Sequence, residues 1–294
     1  MKASEKTMKG FEIVDESFRE VLLKDSAVRQ ICKGLKFTEG PVWMKSEKCL
    51  LFSDIPADTI HRWSQAAGMS VFRKPSHSSN GNAVDSQGRL VTCEHGSRTV
   101  TRTDKDGKVV TLAATYKGGK LNSPNDLAVK SDGTIWFTDP PYGLGRGKSE
   151  QKGNYVYRLD EGAAEPVAVA TDFDRPNGIC FSPDEKYVYI ADSGRGHHVR
   201  RFSVLKDNTL GAGKVFAVIG PGVPDGMRID AAGRLYSTAG DGVQVFNTDG
   251  KLIGKILTPK SAANCCFGGP GGKTLFITAR DAVHAVRLAV AGAK

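Results

Sequence analysis

No two of the six cysteines (Cys32, Cys49, Cys93, Cys180, Cys265, Cys266) stand in C-x-x-C spacing. Zinc-type cysteine sites are therefore not expected. Several of the six fall in runs with strand character, and adjacent residues such as Cys265 and Cys266 seldom form a disulfide. All six read as buried, reduced thiols, the state kept in the cytoplasm. No apolar run reaches the ~18 residues that a membrane helix needs. The segment Met1 to Val14 lacks the apolar core of a signal peptide. A cytoplasmic protein with no membrane partner is expected. The formal charge is +9, but no five basic residues adjoin. Lys and Arg are scattered and the aromatics sit mainly in strand-like runs, so no nucleic-acid partner is expected. G-x-S-x-G is also absent, which removes the nucleophile elbow of the serine hydrolases.

What the chain does have is one pattern, repeated. From Leu121 to Tyr142 it reads LNSPNDLAVKSDGTIWFTDPPY. Apolar alternation at Leu127 and Val129 leads to a Ser131-Asp132-Gly133 turn and a second β-rich run, Thr134 to Thr138. This is a hairpin signature. Aligned on Asn125, the pattern recurs at Glu39, Asn80, Asn177 and Asp225, and more weakly at Asn264. A period of roughly 40 to 50 residues indicates a solenoid or a propeller. Strand pairs without helical periodicity choose the propeller, whose blades are four-stranded. The expectation is an all-β fold: a six-bladed β-propeller with four-stranded blades around a central metal-binding channel. Residues 1–294 would form one domain. The lead-in, residues 1–36, would close the ring by adding an outer strand to the C-terminal blade, because an open last blade exposes unpaired edges. Within it, Phe11 to Val14 and Val28 to Cys32 look like strands and Glu16 to Lys24 like one or two helical turns. The first eight or so residues read as a loose tail.

The first strand of a propeller blade lines the channel. Residues in equal phase on successive blades therefore meet around the axis. Glu39, Asn80, Asn125, Asn177, Asp225 and Asn264 should form a ring of carboxylate and amide oxygens, which suits a hard cation. No histidine lies in it, which disfavours zinc and copper. The alternative is that Asn-Gly and Asp-Gly are simply turn formers. That alternative does not explain Glu39, nor Asn125, which precedes Asp126. The exit loops at the same end carry Asp54, Asp139 and Asp192, read as turn caps. The longest, PPYGLGRGKSEQKG, is glycine-rich and basic and could cover a ligand. Tyr142, His95, Arg98 and Arg195 are candidate pocket liners.

The stretches TEGPVW, NGNAVDSQGRL, CEHGSR, NSPNDLAVKSDGTIWFTDPPYG, RPNGICFSPDEKYVYIADS and PDGMRID together resemble the regucalcin/gluconolactonase family. The resemblance spans about Phe37 to Tyr236 and is closest to bacterial gluconolactonases. It implies a six-bladed propeller with one divalent ion in the channel, usually Ca²⁺, with Mg²⁺, Mn²⁺ or Zn²⁺ as alternatives. It places the metal ligands at Glu39, Asn125, Asn177 and Asp225 and the general base at Asp225. Some relatives carry an arginine two residues before the ligand matching Asn125. Ser123 stands there in this chain, which leaves substrate contacts to Asn80, His95, Asn122 and Tyr142. The implied activity is metal-dependent hydrolysis of a small-molecule sugar lactone, by a monomer or homodimer. The alternatives are a related propeller hydrolase of other lactones or phosphotriesters, and a non-catalytic Ca²⁺-binding propeller.

Overall fold

A computed structural model of the chain describes residues 7–293. Six antiparallel sheets form a ring, each built from four consecutive chain passes or their equivalent. Blade one comprises Thr38–Met44, Cys49–Asp54, Thr59–Ser64 and Gly68–Arg73. Blade two comprises Ser79–Val84, Leu90–Glu94, Thr99–Thr103 and Val109–Ala113. Blade three runs Leu127–Val129, Ile135–Asp139, Asn154–Leu159 and Val167–Phe173. Blade four runs Pro176–Phe181, Tyr187–Asp192, His198–Ser203 and Lys214–Val218. Blade five contains Met227–Ile229, Leu235–Ala239, Gly242–Phe246 and Leu252–Leu257. Blade six contains Asn264–Gly268, Thr274–Ala279 and Ala282–Arg287. The architecture is the six-bladed propeller that the phase of the repeat implies.

Blade six takes its fourth strand from the lead-in. Arg29–Lys33 pairs antiparallel with Ala282–Arg287, so the two ends of the chain share one sheet. The rest of the lead-in goes elsewhere. Phe11–Ile13 adds to the outer strand of blade five, and Thr7–Met8 pairs with it in turn. The reason lies in Phe18. It sits on the 3₁₀ turn Glu16–Val21, capped by the Asp15 carboxylate, and is fully buried. Its ring fills the space over Gly254, where any Cβ would lie 2.2 Å from it. One bulky apolar residue opposite one glycine thus fixes where the lead-in crosses blade five. The loose-tail expectation falls, for its first six residues, outside those described.

The core lies between blades. Trp43 stacks on Phe276 across the closure between blades one and six, with ring centroids 5.4 Å apart. Tyr236 meets Phe267 edge-on across blades five and six at 5.0 Å. Such aromatic pairs add to the apolar burial itself. All six cysteines are free and buried, and burial pushes the Cys32, Cys180, Cys265 and Cys266 thiols up, Cys32 and Cys265 to about 12. Among the described residues, no helix is long and apolar enough to cross a membrane.

Candidate active site

The innermost strands bring the equal-phase residues together. Asn80 Nδ2 donates to Asn125 Oδ1 at 2.7 Å, and Asn125 Nδ2 donates to Asn177 Oδ1 at 2.6 Å. Asn177 Nδ2 continues the chain to the Ser193 hydroxyl at 2.9 Å, and that hydroxyl donates to the carbonyl of Pro224, next to Asp225. On the other side, Asn264 interacts with Glu39 and donates to Asp126 Oδ2 at 3.3 Å. Glu39, Asn80, Asn125, Asn177 and Asn264 are each 5% exposed or less, while Asp225 is only half-buried at the open end.

The glycines after the ring residues are not turn formers. Gly178 N–H donates to the carbonyl of Asp225 on the next blade, and a Cβ there would lie 2.2 Å from that oxygen. A Cβ on Gly226 would lie 1.9 Å from Asn264 Cγ. The absent side chain lets successive blades approach closely enough for their ring residues to meet. Hydroxyls on the second strands tie the ring from behind: Ser53 donates to the Asn80 carbonyl, Thr138 to that of Asn177 and Thr238 to that of Ala263. Hydroxyls from neighbouring blades thus hold the backbone at Asn80 and Asn177 and just before Asn264.

The electrostatics are unbalanced. Burial, then the nearby Asp225 charge, holds the Glu39 carboxyl well above its ordinary range, against stabilising bonds from the Gly40 N–H and the Asn264 side chain. Burial raises Asp225 to about 7, helped by the charge of Asp126 and opposed by Asn177. Two carboxylates that resist ionisation, beside amide oxygens and away from any thiol ligand, describe a place where a hard divalent cation would be stabilising. The donor chemistry of Glu39, Asn125, Asn177 and Asp225 fits such an ion. His95 is 7% exposed, and its Nε2 lies 3.2 Å from Asn80 Nδ2 and 3.3 Å from Asn125 Oδ1. Burial lowers it to about 4, so the imidazole is neutral at ordinary pH.

The loop from Asp139 to Gly153 folds over this group. Its turn Tyr142–Leu144 is fastened where Gly143 N–H donates to the Ser123 hydroxyl at 2.8 Å, and a Cβ on Gly143 would lie 2.5 Å from His95 Cβ. Ser123 thus anchors the cover. The Tyr142 hydroxyl, raised by burial, faces Ser193, Asn177 and Asp225, although its ring remains 40% exposed at the mouth. Asn122 is a different case from the pocket contact expected. Its amide donates to the carbonyls of Asp139 and Gly153 and accepts from the Ser149 hydroxyl, so its hydrogen-bonding capacity is spent on the loop. Arg98 is similarly occupied, with bonds to the Leu121 and Asn122 carbonyls and a pair with Glu150. Arg195 is exposed, and its backbone bonds Asp174. Asp54 and Asp192 cap backbone N–H groups before their blades, as does one oxygen of Asp139. The other Asp139 oxygen has no hydrogen-bond partner among the described residues, and burial raises that carboxyl to about 7.

Sequence phase did not find Asp126 and Arg228. Asp126 is 1% exposed, and Arg228 lies 3.6 Å from its Oδ2. The signal was the break of pattern at Asn125, where Asp replaces the usual small residue.

Residues 37–281 match the model of the SMP-30/gluconolactonase/LRE-like region. The chain belongs to this family. It is 34% identical to the gluconolactonase of Zymomonas mobilis, over 91% of this chain and 83% of that one. It is 25% identical to the pentonolactonase XacC of Haloferax volcanii, over 86% of this chain and 84% of that one. Among solved structures, a gluconolactonase from Xanthomonas campestris superposes with a TM-score of 0.91 at 36% identity, covering 96% of each chain. The family match begins and ends within the six-bladed ring and includes all six ring positions.

Proposed function

We propose that the chain is a divalent-metal-dependent hydrolase of sugar lactones, opening aldonolactones such as gluconolactone to aldonic acids. The observation that carries this reading is the pair of mutually repelling carboxylates, buried Glu39 and half-buried Asp225, set among amide oxygens in the channel. The similarity to gluconolactonases and to a pentonolactonase supports the sugar-lactone class.

Glu39, Asn125, Asn177 and Asp225 would hold the ion, with Ca²⁺ preferred for an all-oxygen set. When bound, a divalent cation supplies Lewis acidity to the lactone carbonyl and offsets the charge that develops on its oxygen. The remaining work falls to the protein. Asp225 faces the open end, and its carboxylate takes the proton of the attacking water. The same group can return that proton to the ring oxygen as the acyl bond opens. Asn80 and the neutral His95 present a hydrogen-bonding edge beside Asn125, suited to sugar hydroxyls. Tyr142 and the loop behind it exclude water from the mouth, which strengthens the polar contacts inside. No covalent acyl-enzyme is required. In a weakly buffered solution of gluconolactone, the protein with Ca²⁺ should release acid faster than the spontaneous rate. Hydrolysis no faster than the uncatalysed rate across a panel of aldonolactones with Ca²⁺, Mn²⁺ and Zn²⁺ would refute the reading.

A further inference from the structure

Beneath the ring lies a second pair of charges. Asp126 is fully enclosed, with Oδ1 accepting from the Leu127 N–H at 2.9 Å and Oδ2 accepting from Asn264. Arg228 approaches Oδ2 from below at 3.6 Å, while its Nη1 donates to the Met227 carbonyl at 2.7 Å. Arg228 also lines a cavity of about 320 Å³, together with Val84, Val129, Phe181 and Cys266. Asp126 touches neither Glu39 nor Asp225 through a hydrogen bond, yet its charge acts on both. Three carboxylates and one guanidinium thus line the channel, from Asp225 at its open end to Arg228 below. Arg280, the other cation that acts on Asp225, sits exposed at the rim against Ser261.

We propose that Asp126 and Arg228 are positioning residues beneath the ring, and that Asp126 sets cation affinity without touching the cation. This rests on reading the ring as a cation site. The physical reason is that charges largely shielded from water are screened less by solvent and salt than surface charges, so they act on one another over several ångströms. Asp126 supplies a negative charge that attracts the ion. Arg228 moderates it and holds Asp126 in place, so that the metal-free protein tolerates three buried acids. Asn264 bridges Asp126 and Glu39 and keeps the two layers in register.

The two members have opposite signatures. Asp126→Asn keeps the shape and the acceptor for Leu127 N–H but deletes the charge. Calcium titration calorimetry should show affinity weakened by about 10- to 100-fold, the range typical for groups that support a metal's ligands. In chelator its melting temperature should equal or exceed that of the parent, because repulsion within the ring is relieved. Arg228→Gln should do the reverse: several-fold tighter calcium binding with a lower melting temperature in chelator. Arg228→Lys should restore parental behaviour in both. If Asp126→Asn binds calcium within twofold of the parent, or loses as much melting temperature in chelator as in calcium, the proposal is wrong. If Arg228→Gln weakens binding, it is equally wrong. A parent protein that binds no divalent cation would instead overturn the cation-site reading itself, and this proposal with it.

Discussion

Calcium should stabilise the protein at pH 8 and hardly at all at pH 5. The perturbation is chelation, compared across pH. Asp225 rises from 3.8 unfolded to about 7 folded, and Glu39 is raised in the same direction. A carboxyl raised on folding contributes stability that is fully present below about pH 4 and lost as pH climbs towards 7. Above pH 7 the metal-free fold carries the Asp225 charge unrelieved beside Glu39, and there a cation should bind best. A calcium excess of a hundredfold over Kd adds about 2.7 kcal/mol. For a chain this size, with unfolding entropy of about 2.1 cal/mol/K per residue, that is a rise of roughly 4 °C. Each proton that the ion must displace costs about 1.4 kcal/mol per pH unit below 7, so about two units suffice to remove the gain. The difference between calcium and chelator is the right observable. His95 is lowered to about 4, so it destabilises the fold as pH falls below about 6.5 and masks the carboxylates in either curve alone. Asp139 runs with the carboxylates but lies on the loop cap, and should contribute equally with and without metal. Differential scanning calorimetry at half-unit pH steps would measure this. An equal calcium shift at pH 5 and pH 8 would show that the acids of the ring do not bind the ion.

Four substitutions extend the account. Asp225→Asn, loaded with metal, should fold and lose about 10²- to 10⁴-fold in kcat, the usual cost of a missing general base; near-parental turnover would assign the proton to another group. Gly226→Ala places a methyl 1.9 Å from Asn264 Cγ and should cost about 1–3 kcal/mol in urea unfolding as well as calcium affinity. Phe18→Ala, which empties the space over Gly254, should cost about 3–5 kcal/mol in urea with kcat intact, whereas a loss of activity at full stability would detach the lead-in from its bracing role. His95→Ala should raise KM more than it lowers kcat and leave the shape of the kcat/KM pH profile between 6 and 8 unchanged, because the imidazole stays neutral above about 4 and the step near 7 belongs to Asp225.

The propeller was legible because its repeat is one of phase. The turn glycines and the inner-strand residues recur at fixed offsets, and the blade geometry leaves them only one place to meet. The lead-in was half legible. Alternation at Val28 to Cys32 marks the strand that joins blade six, but nothing local in Phe11–Ile13 says that it joins blade five, since Gly254 makes that choice from far along the chain. Asn122 and Ser123 show the limit more sharply. Both sit beside Asn125 in sequence, yet the chain reverses there, and both serve the covering loop. Asp126 was hidden for the opposite reason. Its phase belongs to the glycines, and only the folded ring reveals that its carboxylate points at Asn264 and Arg228.

The most direct test of the central claim is acid release from gluconolactone in a pH-stat near neutrality, with one preparation assayed in calcium, after chelation and after calcium is restored. Hydrolysis should run well above the spontaneous rate, be lost on chelation and return with the metal. Full activity in the verified absence of divalent ions would contradict that claim.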